Sequence, residues 1–272
     1  MKFFAVFIFC LPTIGICQAV RSPVSSSYIG FGAYSNHEID VFSFERNEAS
    51  LAKIDHPAAG LYGEKRFLLS ELGSYDAAVA VTTSSGNFGI DLRYLGFSDY
   101  NENQIGLAYG RSLGNKADVG VQFNYYDVHI SGYGNASTVN FETGIILHLT
   151  DNVNAGFHIC NPVAAKFGKD EKEKLASVYA AGVGYEASEN FFLSVETEKE
   201  ENKPINVIAG MQYKFLSQLS ARFGISSATS TIYFGIGFMW KEFRFDATAS
   251  YQTLLGITPG MLVLFNFDKK EK

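Results

Sequence analysis

Arg93, Arg222 and Arg244 recur among Glu142, Glu196, Lys214 and Asp246, each on a segment whose opposite face is apolar. Guanidinium groups so placed are suited to gripping an anionic headgroup, because their planar donor fork matches a carboxylate or phosphate. His148 and His158 share that polar face, with Cys160 two residues past the second histidine. These are soft-metal donors, but a metal needs more preformed ligands than this set supplies, so no metal is expected. Gly182-Val183-Gly184-Tyr185-Glu186-Ala187 fits a dinucleotide fingerprint on paper, yet it lies inside a strand pattern with no helix after it. Ser177 and Thr143 fall on the apolar face, which carries no histidine for serine hydrolysis. No catalytic residue, cofactor or enzymatic activity is expected.

The elements that place these residues follow from the alternation. The 272 residues are 47% hydrophobic and 15% aromatic but only 18% charged, with 26 Gly, 24 Phe and 15 Tyr. That mix favours strands over helices, and the net charge of -6 leaves no footprint for a nucleic-acid partner. From about Ala58, period-two segments succeed one another, as in Val119-Val121-Phe123-Tyr125 against Asp118-Gly120-Gln122-Asn124. Fourteen such segments fit between Ala58 and Phe267, the first of them weak. Each has room for the ~9–11 residues that cross a bilayer at a ~45° tilt.

Charge is sorted by face. About 58 positions on the apolar face hold only Arg111, at a strand end, where the composition would place about ten charges. A cation facing lipid at mid-membrane costs about 2–4 kcal/mol, which accounts for the exclusion. The opposite face carries the charges above together with Asp91, Asp118 and Glu186, and glycines such as Gly89, Gly106, Gly120, Gly144, Gly210, Gly224, Gly235 and Gly237. Ile146, Val178, Phe192, Ile208, Tyr233, Met239, Leu262 and Leu264 make it more apolar than an aqueous pore, through packing against a plug or as a pocket for an amphipathic molecule. Short connections alternate with longer ones expected near Gly96–Asn103, Asn161–Lys174, Glu198–Pro204 and Gln252–Gly260. The reading is an all-β, 14-stranded antiparallel transmembrane β-barrel over residues 58–267. The mixed-charge runs Lys169–Lys174 and Glu198–Lys203 fall in long loops on one rim, either solvated or in contact with surface glycolipid.

Residues 1–19 read as a secretory signal peptide, with Lys2 ahead of an apolar stretch and small residues before the cleavage point after Ala19. Two of the three cysteines lie in it, leaving Cys160 with no disulfide partner. Residues 20–57 break the alternation, yet Val41, Phe42, Phe44 and Leu51 suggest burial as a plug inside the barrel; residues 268–272 form a polar tail.

Within that segment Asn47-Glu48-Ala49-Ser50-Leu51-Ala52 resembles the Asn-Pro-Ala-Gly-Leu-Ala element of FadL-type outer-membrane transporters and the related PorV/PorQ family of Bacteroidetes, with Glu48 in place of the proline and Ser50 of the glycine. Tyr62-Gly63-Glu64-Lys65-Arg66-Phe67, Gly86–Gly89, Gly106–Gly110 and Asn161-Pro162 are similar in style. The resemblance implies a 14-stranded barrel with an N-terminal hatch in a Gram-negative outer membrane. It further implies a channel for hydrophobic or amphipathic small molecules or, alternatively, a type IX secretion subunit with secretion-machinery partners. On the channel reading Arg93, Glu142, His148, His158, Glu196, Lys214, Arg222, Arg244 and Asp246 are the lumen and ligand candidates, and outer-membrane lipid is the surrounding partner.

Overall fold

The computed structural model describes residues 26–167, 173–201 and 203–267; the expected leader 1–19 and tail 268–272 lie outside the described residues. The wall begins with β1 (Ala58–Lys65), β2 (Gly73–Thr83), β3 (Gly86–Phe97), β4 (Tyr100–Leu113), β5 (Ala117–Ile130), β6 (Gly134–Thr150) and β7 (Val153–Cys160). A separate two-stranded piece follows, β8 (Lys166–Phe167) with β9 (Glu173–Lys174). The wall resumes with β10 (Val178–Ser188), β11 (Phe191–Glu200), β12 (Asn206–Leu216), β13 (Leu219–Ser226), β14 (Thr231–Trp240), β15 (Phe243–Gln252) and β16 (Gly256–Asn266). Among the described residues these fourteen wall strands form one closed antiparallel barrel, with β16 returning to β1 so that Val263 faces Leu61. Closure leaves no edge with unpaired backbone groups.

The pairing registers keep one phase all round, so each strand presents one set of side chains outward and the other inward. Outward stand Leu61, 63% exposed, and Phe123, 58% exposed, while the inward Asp91 and Asp118 have no exposure at all. This inverts a water-soluble protein and suits hydrocarbon outside with polar groups within. Aromatic pairs cover the outer face across strands, Phe88 with Tyr109 at 5.1 Å and Phe243 with Phe265 at 4.7 Å between ring centres. Arg111 is exposed near the end of β4, as its position requires.

Two connections differ from the expected lengths. The turn between β3 and β4 is only Ser98-Asp99, and that between β15 and β16 is residues 253–255. The ladder continues through residues such as Asn101, Glu102 and Asn103, whose polarity on both faces removes the alternation without weakening the backbone pairing. The long connection after Cys160 is as expected. Ser177 differs too: it is buried, and its hydroxyl donates to the Asn161 carbonyl at 2.7 Å.

Inside the barrel runs the N-terminal segment, with a one-turn helix α1 (Ser26–Ile29) and short 3-10 turns at Phe31–Tyr34, Ser43–Glu45 and Glu48–Lys53. Its Tyr28, Val41, Phe42, Phe44 and Leu51 form one apolar cluster with the inward Tyr62, Ala78, Tyr233, Leu262 and Leu264. Phe31 meets Phe192 edge-on at 5.1 Å. Ile146, Phe192, Ile208, Tyr233, Leu262 and Leu264 of the inner face are therefore covered by this segment, whereas Tyr126 packs with Phe167 and Leu175. Met239, near the end of β14, stays exposed.

The inward glycines admit it. Phe44 lies against Gly89, Tyr34 against Gly182 and Gly184, Phe31 against Gly210, and Tyr28 against Gly235. The nucleotide-like Gly182-Val183-Gly184 is thus a seat for Tyr34, and its glycines answer to close approach.

Candidate functional site

The Asn47–Leu51 element forms where it does because Asn47 caps the 3-10 turn after it, its Oδ1 accepting the Ala49 N–H at 3.1 Å. Glu48 then falls in the first turn, where a carboxylate complements the free N–H groups. Wall asparagines fasten this backbone. Asn87 Nδ2 donates to the carbonyls of Leu51 at 2.8 Å and Ile54 at 2.7 Å, and Asn154 Nδ2 donates to that of Tyr34 at 3.1 Å. Asn47 returns a bond to the Phe157 carbonyl at 3.2 Å. Ala49, Ser50 and Leu51 are fully buried.

The charged candidates all reach the interior, and most meet a charge or carbonyl of the segment. Arg93 Nη2 lies 2.8 Å from Glu45 Oε2, with its Nε 3.2 Å from Asp76 and 3.6 Å from Asp91. Glu196 accepts the Tyr34 hydroxyl at 2.7 Å and pairs with Arg46. Lys214 Nζ sits 2.5 Å from Glu38 Oε1. Arg222 donates to the Tyr28 carbonyl at 3.0 Å, lies 5.1 Å from the Tyr28 ring centre and is 3.6 Å from Asp40. Arg244 shares Asp40 at 3.2 Å and pairs with Asp246, which accepts the Tyr28 hydroxyl at 2.9 Å. His148 lies between Asp118, at 2.7 Å, and Asn154, at 2.8 Å. His158 Nε2 lies between Glu48, at 3.0 Å, and Glu142, at 3.1 Å.

Glu38, Asp40, Glu45 and Arg46 are the charged partners of the wall that strand phase alone does not find. Their signal is a run of charges interleaved with the apolar Val41, Phe42 and Phe44 in a stretch without alternation. The wall also carries a chain of amides linking its acids. Gln122 donates to Asp91 at 2.7 Å and to Asn124 at 2.7 Å, and Asn124 donates to Glu142 Oε1 at 2.8 Å. Burial pushes the Glu45 carboxyl well above the ordinary carboxylate range, and Arg93 opposes that rise.

A recess of about 940 Å³ lies along β1–β6 and β16. Its lining joins Leu61, Tyr75, Leu92, Ile105, Tyr125 and Met261, all exposed on the outer face, to Asp76, Arg93 and Gln104 of the inner face. Apolar and charged groups therefore border one space. As metal donors, Glu48, Glu142 and His158 come together within 4.8 Å of one another, a grouping different from His148, His158 and Cys160.

The closed barrel has the fold of FadL-type outer-membrane channels. The CymD monoaromatic hydrocarbon channel is similar over 95% of this chain and 100% of its own, with a TM-score of 0.68 at 12% identity. The Pseudomonas putida toluene transporter TodX matches over 85% of this chain and 95% of its own, with a TM-score of 0.62 at 10% identity. A Pseudomonas aeruginosa FadL homologue matches over 91% and 97%, with a TM-score of 0.59 at 11% identity. At such identities the likeness is one of fold. No family model and no curated protein matches the chain. The FadL side of the resemblance thus gains structural company, while PorV/PorQ, a Bacteroidetes source and secretion partners gain no support.

Proposed function

We propose that this protein is an outer-membrane channel that admits hydrophobic or amphipathic small molecules. The single observation that carries the reading is the recess, where lipid-facing side chains adjoin Asp76, Arg93 and Gln104. An amphipathic molecule arriving from the hydrocarbon meets an apolar wall and then a charged end. The fold supports it, since similar structures include a monoaromatic hydrocarbon channel and toluene transporters. In this reading residues 1–19 export the chain, 20–57 plug the barrel and 58–267 span the membrane. Passage through the lumen requires the segment to shift, because it holds Arg93, Glu196, Arg222 and Arg244 at once. These residues, with Glu142, His148, His158, Lys214 and Asp246, then govern the plug's position as well as any contact with cargo.

The test is uptake by Gram-negative cells lacking their own hydrophobic channels, with and without this protein, offered toluene and a long-chain fatty acid in turn. The proposal expects faster entry of at least one of them. Equal entry of both with and without the protein, at matched outer-membrane levels, contradicts it.

A further inference from the structure

Where the N-terminal segment crosses the inner faces of β6 and β7, one imidazole and two carboxylates converge. His158 Nε2 is 3.0 Å from Glu48 Oε1 and 3.1 Å from Glu142 Oε2, and the three donor atoms lie within 4.8 Å of one another. An ion bound at about 2.1 Å by nitrogen and oxygen sets neighbouring ligands about 3.0 Å apart at right angles and about 3.4 Å apart at tetrahedral angles. Both distances from His158 Nε2 fall in that range. Asn124 donates to Glu142 Oε1 at 2.8 Å, orienting the carboxylate so that its other oxygen faces His158, as an outer-shell partner does for a metal ligand.

Independent of that spacing, Glu48 is 1% exposed and its Oε2 meets no hydrogen-bond donor. It points at the wall beside Gly144, the residue opposite His158 in the ladder, where an added Cβ would stand 3.0 Å away. A buried carboxylate oxygen with no donor is costly unless a cation meets it. While both carboxylates are ionised, these three groups are net negative whether or not the ring is protonated. Asn124 is linked through Gln122 to another acid, Asp91, and through Gln104 to Arg93. Arg93, beyond it, already faces Glu45, Asp76 and Asp91.

We propose that Glu48, Glu142 and His158 bind a divalent first-row transition-metal ion that clamps the N-terminal segment to the barrel wall. The ion balances the two carboxylates where they meet His158 Nε2, one of them the Glu48 carboxylate, whose other oxygen is buried without a donor. One imidazole with two carboxylates suits zinc, manganese or iron, whereas calcium and magnesium favour oxygen alone. The site joins a segment residue to two wall residues, so its occupancy sets how firmly the segment is held. The inference does not depend on transport.

Full-length protein folded in detergent, stripped with a chelator and titrated with zinc alone tests it. One zinc per chain is expected, together with slower proteolysis of residues 26–57. Glu48→Gln and His158→Gln should each weaken binding by about 100-fold or more, since even outer-shell partners are worth about 10–100-fold. Glu48→Gln lies outside the wall, and faster migration of the unboiled sample verifies that its barrel is closed. Should His158→Gln fail to fold, Glu142→Gln takes its place. No stoichiometric uptake, the three side chains then pairing only among themselves, overturns the proposal. Equal uptake by wild type and both variants, an adventitious ion only, overturns it as well.

Discussion

Arg222 shows how one wall residue can govern the interior. Its guanidinium holds the Tyr28 carbonyl, faces Asp40, and lies 5.1 Å and 5.6 Å from the ring centres of Tyr28 and Phe31. Removing one member of a buried pair costs about 3–5 kcal/mol, because the partner's charge is left without compensation. Arg222→Leu is therefore expected to loosen residues 26–57, seen as rapid proteolysis of the segment while the unboiled protein still migrates as a closed barrel. A segment as protected as in wild type would show that Arg222 does not hold it. Leucine at Arg111, exposed near a strand end, should change nothing. The inward face of these residues was legible, since strand phase alone turns Arg93, Arg222 and Arg244 to the interior. Their partners were not, because Glu45, Tyr28 and Asp40 come from an irregular stretch with no period to fix where its side chains point.

The strands and the segment are fitted to each other through absent side chains. Gly182 and Gly184 on β10 leave the space that Tyr34 fills, and a Cβ at Gly184 would run into the Tyr34 backbone carbonyl. Backbone cannot swing aside as a side-chain tip can, so a larger residue must displace the segment. Overpacking of this kind costs about 1–3 kcal/mol. Gly184→Val should expose residues around Tyr34 to protease and leave the barrel closed, whereas an undisturbed segment would mean that β10 does not seat it. Alternation revealed the strands because hydrocarbon on one side and polar groups on the other make the period sharp. It faded at β3–β4, where Asn101, Glu102 and Asn103 put polar groups on both faces. The glycines were legible as room, but not as room for Tyr34 in particular. Sequence distance hides that contact, since the partners lie about 150 residues apart.

At the scale of the whole molecule, apolar and polar side chains exchange their usual places. The outer surface is Leu, Phe, Tyr and Val, exposed throughout, and the polar residues are inside with the segment. Such a surface is an aggregation hazard in water and a stable one in a bilayer. Interior ion pairs do not by themselves make a stable fold; the closed hydrogen-bonded wall does that, and the pairs decide where the segment sits. Closure also determines the most direct test. Full-length protein extracted from outer membranes and run on a denaturing gel with and without boiling reports whether the wall exists as a closed, detergent-resistant barrel. The account predicts that the unboiled protein partitions with the membrane and runs faster than the boiled chain. Identical migration, with the protein recovered as a compact monomer from detergent-free buffer, would contradict it.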